Sequence, residues 1–382
     1  MSASWVEIDL DAFRHNLEQA KGLLPEGVTI LAVIKDEAYG HGACELAFEA
    51  IRGGVKMLGT ATVEEGIQLR SQGISAPILI LSGSTTEQVE EVVEQNLSVT
   101  LYSREIAKAL DTAARRRKKK IPIHLKIDTG MGRLGISPEE VKPFLQGLHK
   151  LPGLTIEGIM THFATAADAD KEYTRWQLSR FRESLSSSPA PEIGPERPII
   201  HAANSAAVLN FPESYMDMVR LGILLYGCYP HTEARRELPL QPVLSWKTRV
   251  LSLKRVPPES WIGYGKTYRT SRNSLVAILP VGYADGYNRA LSNRAHVLIR
   301  KKRVPVIGRV SMDLCAVDAT EIPSLHEGEE AVLLGMQGKE EITAHDLASL
   351  LETIPYEIFT SIDRRIPRIF LKNGKVCKVR HF

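Results

Sequence analysis

Apolar runs of strand length recur through roughly the first 230 residues of the chain, and between them lie segments whose apolar positions repeat at helical spacing. The runs predict strands at Thr29 to Lys35, Lys56 to Ala61, Ala76 to Ser82, Leu97 to Ser103, Ile121 to Asp128, Leu154 to His162, Arg197 to Ala203 and Asp217 to Ile223. Helical spacing predicts helices at Val63 to Gln72, Thr86 to Gln95, Pro138 to Lys150 and Lys171 to Leu185. Strands and helices in this alternation make an α/β protein, with a (β/α)8 TIM-type barrel as the expected architecture; an open doubly wound sheet gives the same local signals.

The placement of polar residues favours the barrel. Lys35, Lys126, Asp128, His162, Asn204, Ser205 and Arg220 all fall at or just beyond the C-terminal ends of predicted strands. In a barrel those ends share one face, where active sites are assembled from residues far apart in sequence. Lys35 closes the run Ile30-Leu-Ala-Val-Ile34. A lysine at the mouth of a buried strand is partly desolvated, which lowers its pKa and leaves an amine able to form a Schiff base.

After Gly227 the pattern changes. Tyr229 to Pro242 is rich in proline and charge and reads as a linker, whereas Ser186 to Pro195 reads as a loop within the barrel. Beyond the linker, strands are predicted at Val243 to Val256, Leu275 to Pro280, His296 to Ile299, Val304 to Val310, Leu314 to Val317 and Ala331 to Leu334, with a helix at Thr343 to Glu352. The expected division is a barrel over residues 1–236 and a mostly-β domain over 237–382.

Composition narrows the function. The formal charge of +3 does not call for nucleic acid, and the dense basic block Arg115-Arg-Arg-Lys-Lys-Lys120 reads as a solvated helix end that complements the helix dipole. Four scattered cysteines have neither a metal-ligand spacing nor a compact disulfide framework, so no metal site is expected and a reduced cytoplasm suits them. Neither an export signal nor a membrane span is expected.

Nine short motifs then occur in order. They are Ala-Val-Ile-Lys35 with Ala-Tyr39-Gly-His-Gly, Lys126-Ile-Asp-Thr-Gly-Met-Gly-Arg133, Thr-His162-Phe-Ala, His201-Ala-Ala-Asn-Ser205, Val-Arg220-Leu-Gly-Ile223, Gly263-Tyr264-Gly-Lys-Thr-Tyr, Val281-Gly-Tyr283-Ala-Asp-Gly-Tyr, Gly308-Arg-Val-Ser-Met312-Asp313 and Ile354-Pro-Tyr356-Glu. Together they resemble alanine racemase across both domains. The resemblance implies a cytoplasmic homodimer with shared active sites, binding pyridoxal 5'-phosphate, acting on a small amino acid and supplying D-alanine for peptidoglycan.

It also implies roles residue by residue. Lys35 carries the cofactor as an imine and serves as one base, and Tyr264 from the other subunit is the opposed base, its phenolate favoured by Arg220 and His162 through a hydrogen-bonded relay. Ser205, Gly222 and Ile223, with the hydroxyls of Tyr39 and Tyr356, match the phosphate site, and His162 and Asn204 also line the cofactor. Arg220 faces the ring nitrogen and cannot readily accept its proton. This argues against the decarboxylases of similar plan, which need a carboxylate there. Arg133, Met312 and Asp313 match the substrate-carboxylate site, Tyr283 narrows the entrance, and Lys126 matches a lysine carbamylated in many members. Tyr264, Met312 and Asp313 argue against a non-catalytic cofactor carrier, which lacks the second domain. Serine is not excluded as a substrate, because one small group changes binding by only about 1 to 3 kcal/mol. One departure stands beside Lys35: Asp36 and Glu37 occupy positions where the family more usually has a small residue followed by Asn or Asp. Alternation along a strand is expected to turn Asp36 away from the cofactor.

Overall fold

The computed structural model describes residues 3–187, 197–231 and 238–381. Most of the expected Ser186 to Pro195 loop and the middle of the Tyr229 to Pro242 linker lie outside these residues. The chain opens with a strand, β1 (Ser4–Asp9), and then enters the barrel: β2 (Thr29–Val33), β3 (Met57–Thr60), β4 (Ile78–Ile80), β5 (Ser98–Leu101), β6 (Ile121–Lys126), β7 (Leu154–Met160), β8 (Ile199–His201) and β9 (Met218–Leu221). Strands β2 to β9 each fall inside a span predicted from the apolar runs. Such runs are near-continuous because helices cover one face of each strand and the barrel interior fills the other.

The strands form one eight-stranded sheet in the order β8-β7-β6-β5-β4-β3-β2-β9, with every pairing parallel. Its two ends meet just past β8, where the Asp217 N–H donates to Ile200 O at 3.0 Å, the Arg220 N–H donates to Ala203 O at 2.9 Å, and Asn204 bridges Arg220. The seam of the barrel thus runs through two candidate site residues.

The predicted helices form at Val63–Ser71, Val89–Glu94, Val141–Leu148 and Glu172–Ser187. The first is entered through a reciprocal cap, in which Thr62 accepts from the Glu65 N–H and Glu65 reaches back to the Thr62 backbone. The basic block ends the helix Arg104–Arg116, and it also serves a neighbour: Arg116 and Arg117 pair with Glu90, and Lys119 donates to the carbonyls of Val93 and Glu94 at the end of Val89–Glu94.

The rest of the chain is mostly strand: β10 (Leu244–Arg249), β11 (Ser252–Val256), β12 (Trp261–Ile262), β13 (Tyr268–Arg269), β14 (Ser274–Leu279), β15 (His296–Ile299), β16 (Lys302–Ile307), β17 (Cys315–Asp318), β18 (Glu330–Gln337), β19 (Glu340–Ile342), β20 (Arg368–Lys372) and β21 (Lys375–Arg380). The single run expected from Val243 to Val256 forms two strands because the chain changes neighbours, β10 pairing with β18 and β11 with β14. The expected helix forms at Ala344–Leu351, capped by Thr343, and a further short helix, Pro355–Ser361, carries Tyr356.

Strand β1 belongs to this second sheet. It lies between β10, antiparallel, and β20, parallel, with Val6 opposite both Trp246 and Arg368. The first residues of the chain therefore pair with the second domain, and the chain passes back to the barrel through the helix Leu10–Lys21, capped by the Asp9 carboxylate.

Arg368 fastens the two parts together. It is buried, and its guanidinium donates to the carbonyls of Gly40 in the barrel (3.1 Å) and of Ile362 (3.0 Å), Asp363 (2.6 Å) and Ile366 (2.6 Å) in the second domain. Arg368→Met fills the space but leaves those carbonyls without donors, so stability falls by roughly 3 kcal/mol. Arg368→Lys recovers only part of that loss, because an ammonium lacks the planar fork. Urea unfolding of the two variants tests this, and a wild-type midpoint for the methionine variant contradicts it.

Candidate functional site

The mouth of the barrel begins with a backbone conformation that the sequence pattern does not announce. After β2 the Ile34 N–H still donates to Gly59 O at 2.8 Å, but Asp36, Glu37, Ala38 and Tyr39 then all take φ between 52° and 54°. This is a turn of left-handed helix, closed by Ala38 N–H to Ile34 O at 2.9 Å and Gly40 N–H to Asp36 O at 2.9 Å. Left-handed helix costs L-residues about 1 to 2 kcal/mol each, so the surroundings must hold it.

They do so from several sides. The Asp36 N–H donates to Glu65 Oε1 at 2.6 Å, and Arg368 binds the carbonyl of Gly40. Glu37 is buried and accepts from Arg380 of β21 at 3.2 Å to each oxygen, from Gln68 at 3.0 Å and from the Ala43 N–H at 3.1 Å. The Tyr39 ring packs between Tyr226 and Tyr356, with centroids 4.9 and 5.7 Å away.

The turn corrects the expectation for Asp36. Residues 36–39 are not strand, so alternation does not apply, and Asp36 Oδ2 stays 3.5 Å from Lys35 Nζ. It is Glu37 that points away, into the charges of the C-terminal hairpin. Burial opposes ionisation of Glu37, but the Ala43 N–H, the Arg380 charge and the Gln68 amide outweigh it and hold the carboxyl below its ordinary pKa.

Around Lys35 stand residues from four other barrel strands or the loops that follow them. Lys126 ends β6, is buried, and has no hydrogen-bond partner among the described residues. Burial and the charges of Arg220 and Arg133 lower its pKa to about 8. Asp128 folds the next loop onto itself by accepting the N–H groups of Gly130, Met131, Gly132 and Arg133 at 2.8 to 3.1 Å. That loop presents the Arg133 guanidinium with no carboxylate partner among the described residues. His162 follows β7, and burial together with the charges of Arg220, Lys126, Arg133 and Lys35 keeps its imidazole neutral.

Arg220 occupies the seam. Its Nη2 donates to Thr161 O and Ala202 O at 2.8 Å and to His162 Nδ1 at 3.2 Å, and its Nη1 donates to His201 Nδ1 at 2.9 Å. Nearby, Asn204 caps the helix Ser205–Asn210 by accepting from the Ala207 N–H at 3.0 Å, which sets Ser205 so that its Oγ accepts from the Gly222 N–H at 2.9 Å. A Cβ on Gly222 would stand 2.5 Å from Tyr39 Oη, so only glycine lets this backbone approach the tyrosine. The hydroxyls of Tyr39 and Tyr356 have no hydrogen-bond partner among the described residues, and burial raises both pKa values, keeping both protons on oxygen.

The arrangement is one of surplus positive charge: Lys35, Lys126, Arg133 and Arg220 converge on a neutral histidine, and the oxygens of Asp128 are taken by backbone N–H groups. Beside it stand the hydroxyls of Ser205, Tyr39 and Tyr356, close to the backbone of Gly222. Such a site binds anions, and the donor set of Ser205, Gly222, Tyr39 and Tyr356 fits a phosphate ester.

Known families place this geometry. A model described as alanine racemase, N-terminal domain, matches residues 8–230, and one described as alanine racemase, C-terminal domain, matches residues 243–370. The chain belongs to the alanine racemase family. It is 42% identical over 378 residues to alanine racemase 2 of Caldanaerobacter subterraneus subsp. tengcongensis, covering 99% of this chain and 97% of that protein. To the alanine racemase of Carboxydothermus hydrogenoformans it is 46% identical over 372 residues, covering 97% and 100%. Among solved structures, alanine racemase from Bacillus anthracis with bound L-Ala-P superposes with a TM-score of 0.92 at 38% identity, covering 100% of this chain and 98% of that one. Alanine racemase from Bartonella henselae with covalently bound pyridoxal phosphate gives 0.87 at 28% identity, covering 97% and 100%.

In this alanine racemase family member, the remaining candidates stand apart from Lys35. Tyr264 sits at the tip of the β12–β13 hairpin between Gly263 and Gly265, both at positive φ, and is 70% exposed; Tyr283 and Met312 are exposed too. Among the described residues no hydrogen bond or ring contact joins them to the barrel mouth. Tyr283 and Met312 do share a scaffold: the N–H groups of Tyr283 and Ala284 donate at 3.0 Å to the carbonyls of Ser311 and Met312, and Arg365 binds both Asp285 (2.8 Å) and Asp313 (3.2 Å). Sequence reasoning missed Arg365, Arg368 and Arg380, because a lone arginine carries no local signal of a partner so far along the chain.

The Glu37–Arg380 pair gives a pH-dependent test. Glu37 has a lowered pKa in the folded state, so its contribution is complete above the unfolded carboxylate value near pH 4.3 and is lost as pH falls through the folded value. Arg380→Ala should therefore lose about 2 kcal/mol at neutral pH, with the difference from wild type shrinking as the medium is acidified. A gap in unfolding free energy that stays constant from neutral to acid pH rules this out.

Proposed function

We propose that the chain interconverts L-alanine and D-alanine as a pyridoxal 5'-phosphate enzyme, working as a cytoplasmic homodimer that supplies D-alanine for peptidoglycan. The observation that carries this reading is the convergence of Lys35, Lys126, Arg133 and Arg220 on a neutral His162 beside the hydroxyls of Ser205 and Tyr39 at the barrel mouth. When bound, the cofactor would make the substrate's α-proton removable by spreading the charge left on carbon.

The chain's own residues supply the rest. Ser205 Oγ, the N–H groups of Gly222 and Ile223 and the hydroxyls of Tyr39 and Tyr356 hold the phosphate, while Arg133 takes the substrate carboxylate. Lys35 Nζ takes or returns the α-proton on one face, and Tyr264 of the partner subunit does so on the other. His162 accepts from Arg220 at Nδ1, so its proton lies on Nε2, available to a phenolate oxygen. Met312 of the partner subunit and Asp313 of the partner subunit complete the carboxylate site, and Tyr283 of the partner subunit limits the space for the substrate side chain. The exposure of Tyr264, Tyr283 and Met312 in the single chain supports their acting across an interface.

Incubating the purified protein with L-alanine in heavy water should give D-alanine carrying α-deuterium. Lys35→Ala should lower that rate by at least about a thousandfold and abolish visible absorbance from the cofactor. A variant that keeps both sinks the assignment.

Lys126 has a second part in the proposal. A pKa of about 8 leaves part of its amine neutral near physiological pH, and the neutral amine adds to carbon dioxide, forming an N–C bond and releasing one proton. The resulting carbamate anion would pair with Arg133. Isotopically labelled bicarbonate should then yield a carbamate carbon resonance that Lys126→Ala lacks. A free amine at saturating bicarbonate counts against it.

A further inference from the structure

Behind Arg220 a row of polar groups continues away from the candidate site, its two histidines and Ser98 buried and its terminal carboxylate, Glu157, partly exposed. His201 Nε2 lies 2.8 Å from His124 Nδ1, His124 Nε2 lies 3.0 Å from Glu157 Oε2, and Ser98 Oγ donates to the same carboxylate oxygen at 2.8 Å. The row crosses strands β9, β8, β6 and β7, and both imidazoles are wholly buried.

The backbone is shaped to admit it. The β6–β7 register shifts between Ile123 and His124, a bulge of the kind that re-aims a side chain. Opposite His124 stands Gly158, where a Cβ would come within 2.3 Å of His124 Nδ1. Only a residue without a side chain lets the ring lie there.

The protons in this row have a single consistent arrangement. Arginine only donates and an ionised carboxylate only accepts. Arg220 donates to His201 Nδ1, so the His201 proton sits on Nε2 and points at His124 Nδ1. His124 must then carry its proton on Nε2, facing Glu157. A second proton on either ring, or the other tautomer, would set two donors face to face inside the barrel.

We propose that Glu157 is a positioning residue that fixes the tautomers of His124 and His201 and so holds Arg220 in its orientation toward the cofactor ring. This rests on the reading of Arg220 given above. Glu157 touches no reacting atom; it acts as the accepting end of a one-way chain whose donating end is Arg220. The hydrogen bonds that it accepts from His124 and Ser98 favour its ionised form.

The test is to read the tautomers directly, by NMR of nitrogen-labelled histidine in the full chain with and without pyridoxal phosphate. Wild type should show His201 and His124 neutral and protonated on Nε2, and a doubly protonated ring or an Nδ1 proton on His201 overturns the proposal. Glu157→Leu removes the acceptor, so the His124 tautomers should mix and kcat fall roughly tenfold with KM unchanged, the cost of one unsatisfied buried donor. Glu157→Gln can accept or donate, so both tautomers should appear and kcat lie between. Unchanged tautomers and unchanged kcat in the leucine variant also overturn it. A wild type that racemises nothing defeats the functional reading alone, because the tautomers are read without substrate.

Discussion

A guanidinium buried inside a barrel must find acceptors for its N–H groups, and the way Arg220 finds them fixes the mouth of this one. Its backbone N–H closes the seam to Ala203, and its side chain gathers carbonyls and imidazoles from the ends of β7 and β8. Burial lowers its pKa to about 10, still high enough to keep the charge at neutral pH. The fold and the chemistry therefore depend on the same group. A neutral substitute would keep the backbone closure but release His162 and His201 and remove one of the cations at the mouth.

The opposite wall of the site is held by strain and its restraint. The left-handed turn that carries Lys35 into the mouth is held partly from the second domain, by Arg368 at Gly40 and Arg380 at Glu37. The placement of Lys35 in the barrel thus depends on arginines of the second domain. Glu37 has a specific task there as the anchor for the C-terminal hairpin.

Much of this was legible in the sequence where the physics is local. Eight apolar runs were enough to find β2 to β9, because a strand buried on both faces must be apolar throughout. The motifs around Lys35, Lys126, His162, Ser205 and Arg220 fall on strand ends, and the structure gathers them at one face. The left-handed turn was not legible, since Asp36 to Tyr39 contain no glycine to mark positive φ. Strand β1 and the hairpin of β20 and β21 escaped because what stabilises them is pairing across the whole chain. The roles of Glu157 and His124 were hidden for a related reason: a hydrogen-bond direction belongs to a three-dimensional row of groups and leaves no spacing in the sequence.

The position of β1 has a consequence for how the molecule is made. Ser4–Asp9 is synthesised long before β20, yet Val6 pairs with Arg368. The barrel can close once β9 has emerged, but β1 lacks its neighbour on one side until β20 has been made. Cutting the linker would not release an autonomous domain, because the C-terminal fragment would leave β1, the strand between β10 and β20, behind on the barrel. Two regions that look separable along the chain are a single unit in assembly.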